Sequence, residues 1–186
     1  MPMPTPPDTL LRRLEACDRA ASTAIGARWP HPRWFTAPLG ALSLTGNYGI
    51  VWFGLAALGA AAGEGSGFSG RRFAYVSGAV LATEWITYGV KRAVGRRRPP
   101  QREAGVTADI PLPSSPSFPS SHASMGVVGA LAMSTLYPEL WPAFAALTAV
   151  LAASRVYLRV HYLGDVVVGL GLGCALGLPY VAFVRI

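Results

Sequence analysis

Residues 148–173 read TAVLAASRVYLRVHYLGDVVVGLGLG. Both ends of this stretch are apolar, whereas its middle, SRVYLRVHYLGD at 154–165, contains two arginines, a histidine and an aspartate. Ionisable residues beside membrane-like runs are costly and usually have a function. The stretch therefore predicts two membrane helices joined by a polar turn that carries chemistry.

The rest of the chain is also apolar, with 52% hydrophobic and 13% charged residues. Several apolar runs approach the roughly 20 residues that cross a bilayer. Beyond the first 33 residues and one loop, no polar half could shield them in a soluble protein. We therefore expect an all-α integral membrane bundle of about five to six spanning helices, built on the runs 48–62, 73–90, 123–137, 140–153 and 166–184.

The N-terminal segment 8–28 has a different composition. Asp8 can cap a helix, and Leu10, Leu14 and Cys17 recur at helical spacing while the opposite face is charged. This segment is too charged to span a bilayer. It predicts an amphipathic helix that lies along the membrane interface.

A second irregular segment is the loop GRRRPPQREAGVTADIPLPSSPSFPS at 95–120, which is rich in proline and serine. Loops of this length without secondary structure are usually functional. We expect it to be the active-site loop of one membrane domain that spans residues 1–186.

The chain has a net charge of +7, with fifteen arginines and one lysine, Lys91. The charge lies beside membrane segments and no nucleic-acid module is visible, so the expected partner is the lipid bilayer and not nucleic acid. Thirteen of the sixteen cations fall on the face shared by the N-terminus, the 95–120 loop and the 154–165 turn. The positive-inside rule predicts that this face is cytoplasmic in the plasma membrane.

Three clusters on that face have the patterns K-x6-R-P, P-S-x-H and S-R-x5-H-x3-D. Three cations, Lys91, Arg98 and Arg155, would converge near a helix start at Ser120–Ala123. Free N–H groups at a helix start favour anions, and arginine matches phosphate oxygens. The set predicts a binding site for a dianionic phosphate.

The two remaining histidines suit a reaction at phosphorus. Asp165 follows His161 by four residues, so on a helical turn its carboxylate can hold one ring nitrogen and leave the other free to attack. His122 could then donate a proton to the departing alkoxide as a general acid.

In these motifs the sequence resembles the type 2 phosphatidic acid phosphatases, a membrane branch of the haloperoxidase-like phosphatases. The match covers about residues 85–170. The resemblance implies a helical bundle and metal-independent phosphate hydrolysis through a phosphohistidine, with no cofactor. It also implies His161 as nucleophile, Asp165 as its partner and His122 as acid, with the phosphate held by Lys91, Arg98, Ser120 and Arg155.

One position departs from the family pattern, because Ser121 stands where P-S-G-H has glycine. Its backbone N–H can still bind phosphate, so Ser121 stays among the predicted phosphate-binding residues. Its side chain now lies beside the pocket, and we expect activity to persist.

Other polar residues have simpler interpretations. Glu84 lies seven residues before Lys91, near the same helix face, and either serves the site or has a structural role. His31 lies between two prolines, and we expect it to be a solvated loop residue. We interpret four arginines near the end of the second apolar run as anchors that set membrane topology: Arg92, Arg96, Arg97 and Arg102.

The leading functional hypothesis is an integral membrane lipid phosphatase. Candidate substrates are a polyprenyl-linked sugar phosphate such as decaprenylphosphoryl-5-phosphoribose, phosphatidylglycerol phosphate, phosphatidic acid and polyprenyl pyrophosphate. A vanadate-dependent haloperoxidase shares the pocket chemistry, although those enzymes are soluble and larger. A non-catalytic membrane protein that binds phospholipid is the third alternative.

Overall fold

The computed structural model describes residues 10–62 and 69–184, and this part of the chain is helical with no strand. The predicted all-α class is confirmed. Short 3₁₀ turns occur at Asn47–Gly49 and Pro138–Leu140. The helices are α1 (Leu10–Arg28), α2 (Arg33–Thr45), α3 (Ile50–Ala62), α4 (Gly70–Val94), α5 (Pro99–Arg102), α6 (Ser121–Leu136), α7 (Trp141–Tyr157) and α8 (Leu163–Phe183).

Helix α6 is the centre of the bundle and packs against α4, α7 and α8. Its sequence SHASMGVVGALAMSTL has no charged residue, and ten of its sixteen residues are buried. A helix that is small and apolar on all sides is typical of a buried position. The main core forms around it from Trp52 of α3, Val80 of α4, Met125 of α6 and Phe144 of α7.

A row of glycines on α8 lets that helix approach α6 closely. A Cβ atom at Gly169 would lie 2.6 Å from the Ser120 carbonyl oxygen, and one at Gly173 would lie 2.7 Å from the Ser124 carbonyl oxygen. Small residues spaced by four are a common means of close packing between membrane helices. The close approach brings the start of α6 to the start of α8, where the Ser120 N–H donates to the Asp165 carbonyl oxygen at 2.9 Å.

Helix α2 was missed by the sequence analysis, which placed the first span at about 45–62. Pro32 is the N-cap of α2, just before the first turn, where the lack of an N–H costs little. Helices α2 and α3 then meet at a bend of 57°. Two consecutive residues have positive φ there, Tyr48 at 53° and Gly49 at 77°.

Two helical segments in the described chain are each long and apolar enough to cross a membrane: 138–157, which contains α7, and α8. The bent pair α2–α3 makes a third if it is one span. Helix α4 is longer but carries five charged residues, and α6 has only sixteen residues. Large apolar side chains such as Trp85 and Phe183 are exposed on the outside, as in proteins that contact lipid.

Helix α1 begins at Leu10 within the described residues, so the predicted cap Asp8 lies outside them. Its helical conformation is as expected over 10–28, and one of its faces packs on the start of α8. The Asp18 carboxylate accepts from the Gly164 N–H at 2.7 Å, and the Ser22 hydroxyl accepts from the Leu163 N–H at 2.8 Å. These side chains satisfy free N–H groups of the first turn of α8.

The interpretation of His31 as a solvated loop residue is wrong. Its ring stacks on Tyr157 with centroids 4.3 Å apart, and its Nδ1 lies 3.0 Å from an Asp109 carboxylate oxygen. The linker between α1 and α2 lies against the end of α7, where the Tyr157 hydroxyl donates to the Pro30 carbonyl at 2.8 Å.

The glycine row predicts a position-specific effect on stability. Gly173→Ala should lower the free energy of unfolding by about 1–3 kcal/mol, because the new methyl group forces α8 away from α6. Gly171→Ala is the matched control, since a Cβ atom at Gly171 meets nothing within 4 Å. Thermal denaturation in detergent measures both. Equal losses of stability in the two variants would contradict this account of the helix contact.

Candidate active site

A cavity of about 350 Å³ lies between α4, the start of α6 and the loop before it. Six of the eight predicted site residues line it: Lys91, Arg98, Ser121, His122, Arg155 and His161. Ser120 and Asp165 are fully buried behind its wall. The structure therefore brings residues of all three sequence motifs to one place.

His161 is held from both sides of its ring. Its Nδ1 lies 3.3 Å from an Asp165 carboxylate oxygen, and its Nε2 accepts from Arg98 Nη1 at 3.0 Å. The same Asp165 oxygen accepts from the Tyr162 N–H at 2.9 Å and from the Ser117 hydroxyl. A carboxylate only accepts, so Nδ1 carries the ring proton and the Nε2 lone pair, at the cavity wall, accepts from Arg98.

The charge state of His161 fits this arrangement. Burial, followed by the positive charges of Arg98 and Arg155, lowers the pKa of His161 well below its ordinary value of 6.5. The imidazole is therefore neutral at neutral pH, the form that a nucleophile needs. Burial also lowers the pKa of Arg98 to about 10, which leaves the guanidinium protonated.

The 95–120 loop fixes two of the cations through its backbone carbonyls. Arg98 Nε donates to the Ser115 carbonyl at 3.0 Å, and its Nη1 donates to the Val160 carbonyl at 2.8 Å. Lys91 Nζ donates to the Pro116 carbonyl at 3.0 Å. Neutral carbonyls hold the cations in position without cancelling their charge, so the cavity stays positive.

Ser43 of α2 contacts two of the predicted site residues, His122 and Arg155, and the sequence analysis missed it. His122 Nε2 lies 2.9 Å from the Ser43 carbonyl oxygen, which can only accept, so Nε2 carries a proton. The Ser43 hydroxyl accepts from Arg155 Nη1 at 2.5 Å and from the Ser154 hydroxyl at 3.1 Å. A single serine in the apolar run ALSLTG gives no sequence signal for this role.

Arg96 is not a topology anchor, which corrects the sequence interpretation. Its Nη1 donates to the second Asp165 oxygen at 2.6 Å and its Nη2 donates to Asp18 at 2.7 Å, and its guanidinium lies 4.2 Å from the Tyr162 ring centroid. A chain of alternating charges thus runs from α1 to the partner of His161. Nothing in GRRRP distinguishes Arg96 from the exposed Arg97.

Comparison with known proteins agrees with the motifs. Residues 72–185 match the PAP2 superfamily. The chain is 38% identical over 137 residues to a decaprenylphosphoryl-5-phosphoribose phosphatase of Mycobacterium tuberculosis, and the aligned region is 73% of each protein.

Two solved structures share the fold at low identity. A transmembrane PAP2-type phosphatidylglycerolphosphate phosphatase from Bacillus subtilis has a TM-score of 0.70 at 21% identity, covering 92% of this chain and 86% of that one. A bacterial vanadium-dependent iodoperoxidase has a TM-score of 0.74 at 15% identity, covering 99% of this chain and 52% of that one. At these identities the likeness concerns the fold alone.

The chain of charges through Arg96 leads to a prediction on anion binding. Orthovanadate has the tetrahedral shape of phosphate, and we expect it to raise the melting temperature of the purified protein. Asp18→Asn should weaken vanadate binding about tenfold, or roughly 1.4 kcal/mol. The reason is that an unbalanced Arg96 would offset the Asp165 charge that supports His161. Melting curves over a vanadate series measure the affinity.

Glu15→Gln is the matched control for that experiment. Glu15 also lies on α1 and pairs with an arginine, Arg102, but this pair is half-exposed. Loss of the Glu15–Arg102 ion pair should leave vanadate affinity unchanged. Equal weakening in both variants would show that only the attachment of α1 matters.

Proposed function

The chain belongs to the PAP2 superfamily, and from this membership and the geometry of its cavity we propose that it is an integral membrane lipid phosphatase. The observation that carries the proposal is the arrangement of Arg98, His161 and Asp165. A neutral imidazole, backed by a carboxylate, presents Nε2 to a cavity lined with fixed cations. This arrangement suits attack on a phosphoryl group and needs no metal.

In the proposed mechanism, Arg98 shifts its hydrogen bond from His161 Nε2 to a phosphate oxygen, and Nε2 then attacks phosphorus as the bond to the lipid oxygen breaks. His161 keeps its Nδ1 proton, which is hydrogen-bonded to Asp165. The negative charge of Asp165 stabilises the positive charge that develops on the ring. For this step His122 first takes a proton at Nδ1 from the incoming phosphate monoanion and then donates it to the departing alkoxide, while its Nε2–H stays on the Ser43 carbonyl. Water then attacks the phosphohistidine, His122 recovers a proton from that water, and inorganic phosphate leaves.

The phosphate itself would be held by Lys91, Arg98, Arg155 and the first turn of α6. In the described chain, Arg155 Nε is buried without a hydrogen-bond partner, and so is the Ser120 hydroxyl. An unsatisfied buried donor is costly, and a phosphate oxygen would satisfy that of Arg155, which lines the cavity, whereas Ser120 lies behind the cavity wall. Ser121 would contribute its backbone N–H, as expected at a helix start.

We propose a polyprenyl-linked sugar phosphate, such as decaprenylphosphoryl-5-phosphoribose, as the first candidate substrate. The support is the name of the Mycobacterium tuberculosis relative, which aligns over most of both chains. Phosphatidylglycerol phosphate, phosphatidic acid and polyprenyl pyrophosphate are the other candidates for the same chemistry.

The proposed membrane arrangement has five to six spans, with α1 at the interface and residues 1–186 forming one domain. Helix α4 and α6 would complete the set that α3, α7 and α8 begin. The excess of arginine on the active-site face supports a cytoplasmic site in the plasma membrane. The lipid tail would stay in the bilayer while its phosphate enters the cavity.

Phosphate release from short-chain lipid phosphates, with chelator present, tests this function. His161→Ala should reduce kcat at least about a thousandfold because it removes the nucleophile. His122→Ala should reduce it about 100- to 10,000-fold because it removes the acid. His31→Gln, the chain's third histidine, should keep most of the activity.

Two results would contradict the proposal. Full activity of His161→Ala would exclude the mechanism. Halide oxidation with vanadate and peroxide, but no phosphate release from any lipid, would favour the peroxidase alternative.

A further inference from the structure

A carboxylate lines the same cavity as the cations. Glu84 lies on α4 two turns before Lys91, and its side chain faces the space where phosphate would bind. Its Oε2 is buried and accepts no hydrogen bond from any residue in 10–62 or 69–184. A carboxylate repels phosphate, so its presence in an anion site requires another explanation.

Lys91 does not account for this carboxylate. The lysine Nζ donates to the Pro116 carbonyl at 3.0 Å and lies 3.5 Å from the Ser117 carbonyl. No ion pair between Lys91 and Glu84 is formed in the described structure. Glu84 therefore keeps an acceptor available to a donor from outside the protein.

Ser121 is the neighbour of this free acceptor. It stands where the family pattern has glycine, its side chain is more than nine-tenths buried, and it also lines the cavity. Its hydroxyl lies next to the Glu84 carboxyl, within reach of a side-chain hydrogen bond, although no contact within the described ranges has full hydrogen-bond geometry. The departure from the family pattern thus places a second hydrogen-bonding group beside the first.

Asn47 adds an amide to the same wall. It lies at the bend between α2 and α3, and it lines the cavity together with Tyr48, whose positive φ belongs to the bend. An amide both donates and accepts. The bend thus brings residues between α2 and α3 into the lining of the cavity, although they belong to none of the three sequence motifs.

The cavity has room for more than phosphate. Its volume of about 350 Å³ falls in the range of about 300–1,000 Å³ that proteins use for small organic ligands. Besides the cations, its lining offers a carboxylate, a hydroxyl and an amide. Alcohol hydroxyls are the complement of these three groups, because they donate to carboxylates and accept from amides.

We propose that Glu84, Ser121 and Asn47 form a headgroup subsite that binds the hydroxyl groups of a phosphorylated polyol next to its phosphate. The inference rests on the proposed phosphatase function and assigns its specificity. A lipid phosphate that lacks hydroxyls near phosphorus would leave these buried groups unsatisfied, and the enzyme would select against it. A pentose and a glycerol headgroup both offer this chemistry.

Three substrates separate these possibilities. A short-chain analogue of decaprenylphosphoryl-5-phosphoribose carries ring hydroxyls, short-chain phosphatidylglycerol phosphate carries one glycerol hydroxyl, and short-chain phosphatidic acid carries none beside its phosphate. The measured quantity is kcat/KM for each hydroxylated substrate divided by kcat/KM for phosphatidic acid. This ratio removes any general loss of activity.

Glu84→Ala should lower that ratio at least about tenfold for a hydroxylated substrate, as expected for a hydrogen bond to a charged group. Phosphatidic acid hydrolysis should stay the same or rise, since a negative charge near phosphate is removed. Ser121→Gly should lower the ratio severalfold. Glu139→Ala, a carboxylate exposed at the other end of α6, is the control and should leave all values unchanged.

The outcomes are distinct. A lower ratio for the pentose substrate or for the glycerol substrate supports the subsite and identifies the headgroup. An unchanged ratio in active Glu84→Ala protein overturns the subsite alone. If that variant does not fold, Glu84→Gln keeps the shape, and an unchanged ratio there overturns the subsite equally. Wild-type protein that releases no phosphate from any substrate overturns the proposed function and the subsite together.

Discussion

The active-site end of the molecule depends on the hydrogen bonding of one buried carboxylate, Asp165. A buried charge is very costly unless it is paired and hydrogen-bonded. Here four groups point at the two oxygens: Arg96, the Tyr162 N–H, the Ser117 hydroxyl and His161. These donors come from two distant parts of the chain, the 95–120 loop and the turn before α8, so satisfying the charge fixes both parts and the orientation of the imidazole.

The same requirement explains why distant segments meet there. The glycine row of α8 brings α6 close enough for the Ser120 N–H to bond the Asp165 backbone. Asp18 of α1 forms an ion pair with Arg96. This pair connects the N-terminal helix to the site, a contact that the amphipathic pattern of the helix does not predict. In the proposed enzyme, the cations are positioned before phosphate arrives, so little reorganisation accompanies the reaction.

The sequence predicted the class of fold and the gathering of three motifs, because both follow from local patterns. Apolar runs of near-membrane length indicate helices, and the spacing of His161 and Asp165 predicted their contact, although His161 lies in the turn before α8 and not on a helix. Ser43 and Asp18 could not be predicted in this way. Each residue lies far along the chain from its partners. Ser43 reaches them only through the packing of α2, and Asp18 only through the packing of α1. Arg96 shows the limit most clearly, since identical neighbours in sequence have different surroundings in the fold.

The central claim, attack by His161 on phosphorus, is tested most directly by trapping the intermediate. Purified protein mixed with a short-chain lipid phosphate would be quenched in alkali during turnover, digested and analysed by mass spectrometry. The account predicts a phosphoryl group on the His161 ring that is stable to alkali and lost in acid. Turnover with no phosphate on His161, or with phosphate on another residue, would contradict it.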